Sequence, residues 1–91
     1  MKYIKKPLVV DAFQYGESVD YPDWFYELST TPNITINADN TVNVMTAMGI
    51  KVANKGDYIV KYENGDLYVY SSDFFNQMFE VLITPDMLGD H

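Results

Sequence analysis

The dipeptide Asn64-Gly65, set between Tyr58-Ile59-Val60-Lys61-Tyr62-Glu63 and Asp66-Leu67-Tyr68-Val69-Tyr70, constrains this chain more than any other feature. A type I′ turn needs positive φ at both central positions, which Asn and Gly supply, and the flanks are rich in β-branched and aromatic residues. The segment therefore reads as a β-hairpin, entered from an Asn54-Lys55-Gly56-Asp57 turn. A two-residue loop sets Tyr62 opposite Leu67, Val60 opposite Val69, Ile59 opposite Tyr70, Lys61 opposite Tyr68 and Glu63 opposite Asp66. On that register Tyr58, Val60, Tyr62, Leu67 and Val69 form a core face. The opposite, half-wet face carries Ile59, Lys61, Glu63, Asp66, Tyr68 and Tyr70, the residues expected to touch a partner.

Upstream, Ile34-Thr35-Ile36 and Val42-Asn43-Val44 read as a second hairpin whose register can be argued from alternation. A two-residue Asp39-Asn40 turn would put Ile36 opposite Asn43 and mix apolar with polar on both faces. A three-residue loop, Ala38-Asp39-Asn40 with Asn40 left-handed, pairs Ile36 with Val42 and Ile34 with Val44. Gly49 then precedes a short strand from Ile50 to Ala53. Leu8 to Tyr15 reads as a strand, with Val9, Asp11, Phe13 and Tyr15 on one side and Leu8, Val10 and Ala12 on the other. Both sides are largely apolar, which predicts a central position.

Two short helices complete the pattern. Pro22 lies in the first turn of a segment running to Leu28, with Asp20 or Tyr21 at its cap and Trp24 and Leu28 facing inward. Ser71-Ser72-Asp73 caps a second, in which Phe74, Phe75, Met78 and Phe79 share a face. Trp24, Phe75 and Phe79 are expected in the core. Phe79 to Ile83 returns to strand-like composition before Thr84-Pro85, and residues 86–91 read as a frayed tail. The expectation is one α+β domain spanning residues 1–91: a small antiparallel sheet with two β-hairpins and two short helices.

Composition narrows the chemistry. Hydrophobic residues make up 47% and charged residues 21%, so the chain is apolar enough to fold. Without cysteine it has no thiolate nucleophile, disulfide or cysteine-ligated metal. The one histidine, His91, is the last residue, and no Ser–Lys or Thr–Lys motif replaces it, so no catalytic residues are assigned. Paired carboxylates at Asp57, Glu63 or Asp66 are explained by turn chemistry. The acidic turns lack the ligand spacing of a calcium loop, so neither metal nor cofactor is expected. Leu8-Val9-Val10 is cut by Asp11, far short of a signal core or membrane span, which predicts a soluble, unprocessed protein.

The net charge is −7, from six lysines, no arginine and thirteen carboxylates, and its placement is uneven. No basic residue occurs from Pro7 to Ile50, while Asp11, Glu17, Asp20, Asp23, Glu27 and Asp39 do. Such a surface repels nucleic acid and anionic membranes and attracts basic proteins, or simply keeps a small domain soluble. The aromatic load offers a second contact chemistry. Tyr68 and Tyr70 beside Lys61 and Ile59 form a binding patch on one reading, and on another a helix or strand covers them.

Lys5-Lys6-Pro7-Leu8-Val9-Val10-Asp11-Ala12-Phe13-Gln14 opens the chain, and Gly56-Asp57-Tyr58-Ile59-Val60, Gly65-Asp66-Leu67-Tyr68 and Asp73-Phe74-Phe75-Asn76-Gln77-Met78-Phe79-Glu80 close it. In these blocks the sequence resembles the small proteins of tailed phages and prophages with a Pro-Gly-Asp-Tyr-Ile motif, the PGDYG-type family. The middle, Tyr15 to Met48, is variable. Lys55 stands where that family has proline, and Val69-Tyr70-Ser71 where it has a Pro-Cys-Lys sequence. The resemblance implies a phage or prophage origin, a bacterial host-cytoplasm setting, and a structural role for the Gly-Asp-Tyr turn. With the charge and the missing catalytic groups, the leading expectation is an accessory protein that inhibits a host defence factor. Its partner would be basic or nucleic-acid-binding, such as a Cas nuclease, and the chain an anti-CRISPR acting as an acidic mimic of nucleic acid. The alternatives are a module binding a nucleotide signal through Lys55, the Gly56 backbone and tyrosine stacking, and a minor phage structural or assembly component.

Overall fold

Asn37 and Thr41 close the first hairpin loop, and Tyr62 and Asp66 close the last with the same geometry. In the computed structural model, which describes residues 1–3, 8–16 and 20–80, the Asn37 N–H donates to the Thr41 carbonyl at 2.8 Å and the Tyr62 N–H to the Asp66 carbonyl at 2.9 Å. Each loop holds three residues, and the third is left-handed: Asn40 with φ 69° and Gly65 with φ 93°. The middle residue of each turns its side chain back on the chain. Asp39 Oδ1 accepts from the Thr41 N–H at 3.1 Å, and Asn64 Oδ1 from the Asp66 N–H at 3.0 Å. Local side-chain bonding of this kind competes with a tight I′ turn and selects the longer loop.

The strands follow from these loops. Sheet one contains β1 (Asp11–Gln14), β5 (Tyr58–Lys61) and β6 (Leu67–Tyr70), in the order β1-β5-β6. Sheet two contains β2 (Ile34–Ile36), β3 (Val42–Thr46) and β4 (Gly49–Ala53), in chain order. All pairings are antiparallel. Helix α1 (Asp23–Leu28) lies between β1 and β2, and α2 (Ser72–Met78) follows β6. The fold is the expected α+β class, with two small sheets in place of one.

The first hairpin has the expected register, Ile34 opposite Val44 and Ile36 opposite Val42. The second differs by one residue. Ile59 lies opposite Val69, Val60 opposite Tyr68, Tyr58 opposite Tyr70 and Lys61 opposite Leu67. Because side chains alternate, this shift redistributes the expected faces. One face of the sheet takes Phe13, Ile59, Lys61, Leu67 and Val69; the other takes Tyr58, Val60, Tyr62, Tyr68 and Tyr70. Gly65 thus belongs to a three-residue loop instead of a two-residue one. β1 is likewise an edge strand and β5 the centre, and Leu8 and Val9 are exposed.

One small core joins the sheets: Phe25, Ile34, Val42, Val44, Ala53, Ile59 and Leu67 are buried together, with Phe13, Tyr15, Tyr21, Trp24, Leu28 and Val69 packed around them. Phe25, not Trp24, is the buried residue of α1. The helix begins after Pro22, without a side-chain cap, so the Asp20 or Tyr21 cap is not formed. Phe13 meets Tyr21, Trp24 and Phe25 with ring centroids 5.0 to 5.5 Å apart. The expected cap of α2 is present, since Ser71 Oγ accepts from the Phe74 N–H at 3.2 Å. Phe75 and Phe79, four apart, turn inward and are half-buried; Phe74 and Met78 are exposed. Lys5, Lys6 and Pro7, the Thr84-Pro85 boundary, the 86–91 tail and His91 lie outside the described residues.

The Cβ added by Gly65→Ala would meet nothing within 4 Å, so this change isolates the cost of positive φ. It should lower stability by about 1–2 kcal/mol, whereas Asn40→Gly should stay within about 0.5 kcal/mol. Ile59→Ala should cost about 2–5 kcal/mol, as a core truncation. Urea unfolding at pH 7 checks all three, and a near-neutral Ile59→Ala would contradict the register.

Candidate functional site

The six residues expected on one surface are divided among three places. Ile59 is fully buried in the core and is withdrawn as a partner contact; the one-residue register shift turns it inward. Lys61 lies opposite Asp11 and Leu67, and its Nζ sits 5.9 Å from the centre of the Trp24 ring, a cation–π distance. Glu63 is exposed in the loop, and Asp66, half-buried at the loop exit, accepts a hydrogen bond from Asn64 Nδ2 at 3.1 Å. Tyr68 and Tyr70 remain neighbours, now on the face they share with Tyr58, Val60 and Tyr62.

That tyrosine face is partly roofed by α2. Tyr58 stacks flat on Phe75 with centroids 4.0 Å apart, and Tyr70 meets Phe74 at 5.2 Å and Phe79 at 6.0 Å. Tyr62 and Tyr70 share a hydrogen bond between hydroxyls at 3.1 Å, and Tyr68 stacks on Tyr70 at 5.9 Å. Burial, then the bond to Tyr62, then the neighbouring phenols hold the Tyr70 hydroxyl well above the ordinary tyrosine range. Of the expected patch, the rings of Phe74 and Phe79 meet Tyr70, while Tyr68 touches only other tyrosine rings and, like Tyr62, keeps partial exposure.

At the Lys55-Gly56 turn, the proposed nucleotide contact, the Gly56 and Asp57 amides are engaged. The Gly56 N–H donates to the Tyr15 carbonyl at 2.8 Å, and the Asp57 N–H to the Asn54 carbonyl at 3.0 Å. Asp57 Oδ2 accepts from the Asn54 N–H at 2.9 Å, and the Gly56 carbonyl accepts from Gln14 Nε2 at 3.0 Å. The turn is also in close contact with β1, because a Cβ on Gly16 would fall 2.6 Å from Lys55 Cγ. Gly-Asp-Tyr is thus a fastening between β1 and β5, with the Gly56 and Asp57 amides engaged within the fold.

The acidic surface is more coherent than the hairpin patch. On α1, Asp23 and Glu27 are exposed and one turn apart, and Tyr26 between them is 48% exposed. A cleft of about 220 Å³ opens at the C-terminal end of the helix, lined by Leu28, Asn33, Thr46, Gly65, Asp66 and Leu67 among others. Asp66 of the last hairpin and Leu28 at the end of α1 line the same cleft. Asp39 lies exposed in the β2–β3 loop; bonds from the Thr41 hydroxyl at 2.6 Å and the Thr41 N–H hold its pKa below the ordinary value. The uneven charge placement in the sequence showed the acidity, but not that Leu28 and Asp66 line one cleft. Among the described residues no group of three or more His, Asp or Glu gathers to hold a metal, and no helix is long and apolar enough to cross a membrane.

Tyr70 gives a pH prediction with a definite sign. Its folded pKa lies above the ordinary value of 10.0, so its contribution to stability is present below pH 10 and lost as pH rises above it. Ultraviolet titration at the tyrosinate band should show Tyr70 among the phenols that ionise late, and Tyr62→Phe should bring it earlier; a curve unchanged by that substitution would contradict the hydroxyl bond. No family model, curated protein or solved structure matches the chain.

Proposed function

We propose that this protein is a binding module for a basic, nucleic-acid-binding protein, engaged through the acidic surface that runs from α1 to the β5–β6 loop. One observation carries the reading: Asp23 and Glu27 stand exposed one turn apart on a six-residue helix with no basic residue in its last turn. Like charges at this spacing cost an isolated helix about 0.2–0.5 kcal/mol. Glu27 also sits at the helix end where negative charge is disfavoured. Asp23, in the first turn, suits the helix dipole, but Glu27 brings the fold no such gain, while a cationic partner gains complementarity and faster encounter from both.

Tyr26 and Trp24 supply the amphipathic area that charged contacts alone lack, since aromatic residues contribute most of the binding energy at such surfaces. Glu63 and Asp66 add carboxylates at the β5–β6 loop, where Asp66 lines the same cleft as Leu28. A chain of this kind competes with a phosphate backbone for a cationic groove, which suits a phage-encoded inhibitor of a host nuclease, an anti-CRISPR among them. That setting rests on the resemblance at the two ends of the sequence, and the acidic α1 surface stands without it.

Displacement of guide-bound DNA from a Cas9-type nuclease tests the reading at low salt. The wild-type chain should compete, with affinity falling steeply as salt rises. Asp23→Lys with Glu27→Lys should weaken competition at least tenfold, Glu63→Lys with Asp66→Lys should weaken it less, and Asp73→Lys on α2 should leave it unchanged. Absence of competition would exclude this class of partner, and competition indifferent to the α1 reversal would exclude the surface.

A further inference from the structure

The outer face of sheet β2-β3-β4 has no cover among the described residues. Val42, Val44 and Thr46 point into the core, and the alternation sends Asn43 and Met45 of β3 to the other side. The register places Met45 opposite Ile50, Asn43 opposite Val52, and Thr35 of β2 opposite Asn43. Met45 is 45% exposed, Ile50 62%, Val52 48%, and Met48 in the adjoining turn 76%. Two β-branched residues and two methionines thus form one solvated apolar patch on a regular sheet.

Charge decides what can sit there. Lys51 lies opposite Val44 and so belongs to the inner face by register, which leaves Thr35, Asn43, Met45, Ile50 and Val52 without a formal charge among them. In a chain of net charge −7, residues 40–56 contain no aspartate or glutamate. Two copies of this protein repel one another across carboxylate-bearing faces, and least across this one. An uncharged apolar face is also self-complementary, as a two-fold contact requires. A basic partner would find no carboxylate there, and an anionic bilayer would meet a net negative protein without a lysine on the contacting face.

We propose that a second copy of this chain packs on this face, so that two β2-β3-β4 sheets stack through Met45, Met48, Ile50 and Val52. Four side chains with polar Thr35 and Asn43 at the margin fall short of the roughly 800 Å² per partner of a standard interface. The dimer is therefore weak and concentration-dependent. It leaves α1 and the acidic strip outside the contact, and it is independent of the function proposed above.

Sedimentation velocity from about 10 μM to about 1 mM tests this, across the range in which a weak association becomes measurable. The expected result is a monomer–dimer equilibrium that Ile50→Glu and Val52→Glu each weaken at least tenfold, with an unchanged urea midpoint at low concentration. Met48→Glu, in the turn, gives the same readout if a strand variant fails to fold. Phe74→Glu on α2 should leave the equilibrium intact. A monomer up to about 1 mM would overturn the proposal, whether or not it binds phosphatidylglycerol vesicles. So would a dimer that survives the sheet substitutions or is lost with Phe74→Glu. Intramolecular nuclear Overhauser contacts from Met45 or Ile50 to residues 81–83 in a monomer would assign the face to the chain's own C-terminal segment instead.

Discussion

Phe25 is the only buried side chain of α1, and the two sheets meet around it. No backbone ladder joins β1-β5-β6 to β2-β3-β4, so their union depends on apolar packing and a few side-chain bonds. Phe13 and Tyr15 bring the edge of the first sheet to the ring of Phe25, and Tyr15 goes further, its hydroxyl donating to the Asn40 carbonyl in the loop of the second sheet at 2.8 Å. Burial, with Tyr21 and Asp39 nearby, raises the Tyr15 pKa, so this donor holds its proton further into alkaline pH than an ordinary tyrosine. In so small a domain the loss of one such residue removes a large share of the core.

The two hairpins show what a sequence can and does not reveal about register. Around Asn37–Thr41 the alternation of Ile34, Ile36, Val42 and Val44 with polar neighbours favours the three-residue loop over the two-residue turn, and that pairing is the one found. Around Tyr62–Asp66 both candidate registers leave apolar or aromatic residues on both faces. Pattern alone therefore could not choose, and the Asn-Gly dipeptide favoured the shorter loop. Asn64 decides otherwise by accepting from the Asp66 N–H, the same local bond that Asp39 makes to Thr41. The equivalence of the two loops was present in the sequence as Asp39-Asn40 and Asn64-Gly65, an acceptor side chain followed by a residue tolerant of positive φ.

For the candidate site, the sequence carried composition but not adjacency. Acidity over residues 11–39 was plain, and the exposure of Asp23 and Glu27 follows from helical spacing once Phe25 is known to face the core. Trp24 and Leu28 do pack against the core, but the fully buried residue of α1 is Phe25, which the sequence reading did not single out. The closeness of Leu28 to Asp66 depends on how two sheets stack, which no local pattern encodes. The Gly56 turn illustrates the converse. Its residue types suit a phosphate, and only the partners of its amides, Tyr15 and Asn54, show that they serve the fold.

The pairing of Asp11 with Lys61 and of Gln14 with Tyr58 gives the chain a particular order of assembly during synthesis. Strands β2, β3 and β4 are contiguous and can pair as soon as they leave the ribosome, whereas β1, made first, must wait for β5. At ordinary elongation rates of about 5–20 residues per second the delay is on the order of seconds. During it the nascent chain presents Phe13 and the unfilled inner face of the second sheet to solvent. The fastening at Gly16 and Gly56 is therefore the last closure of a non-local ladder, and its speed governs how long a growing chain is open to chaperones and to its neighbours on a polysome.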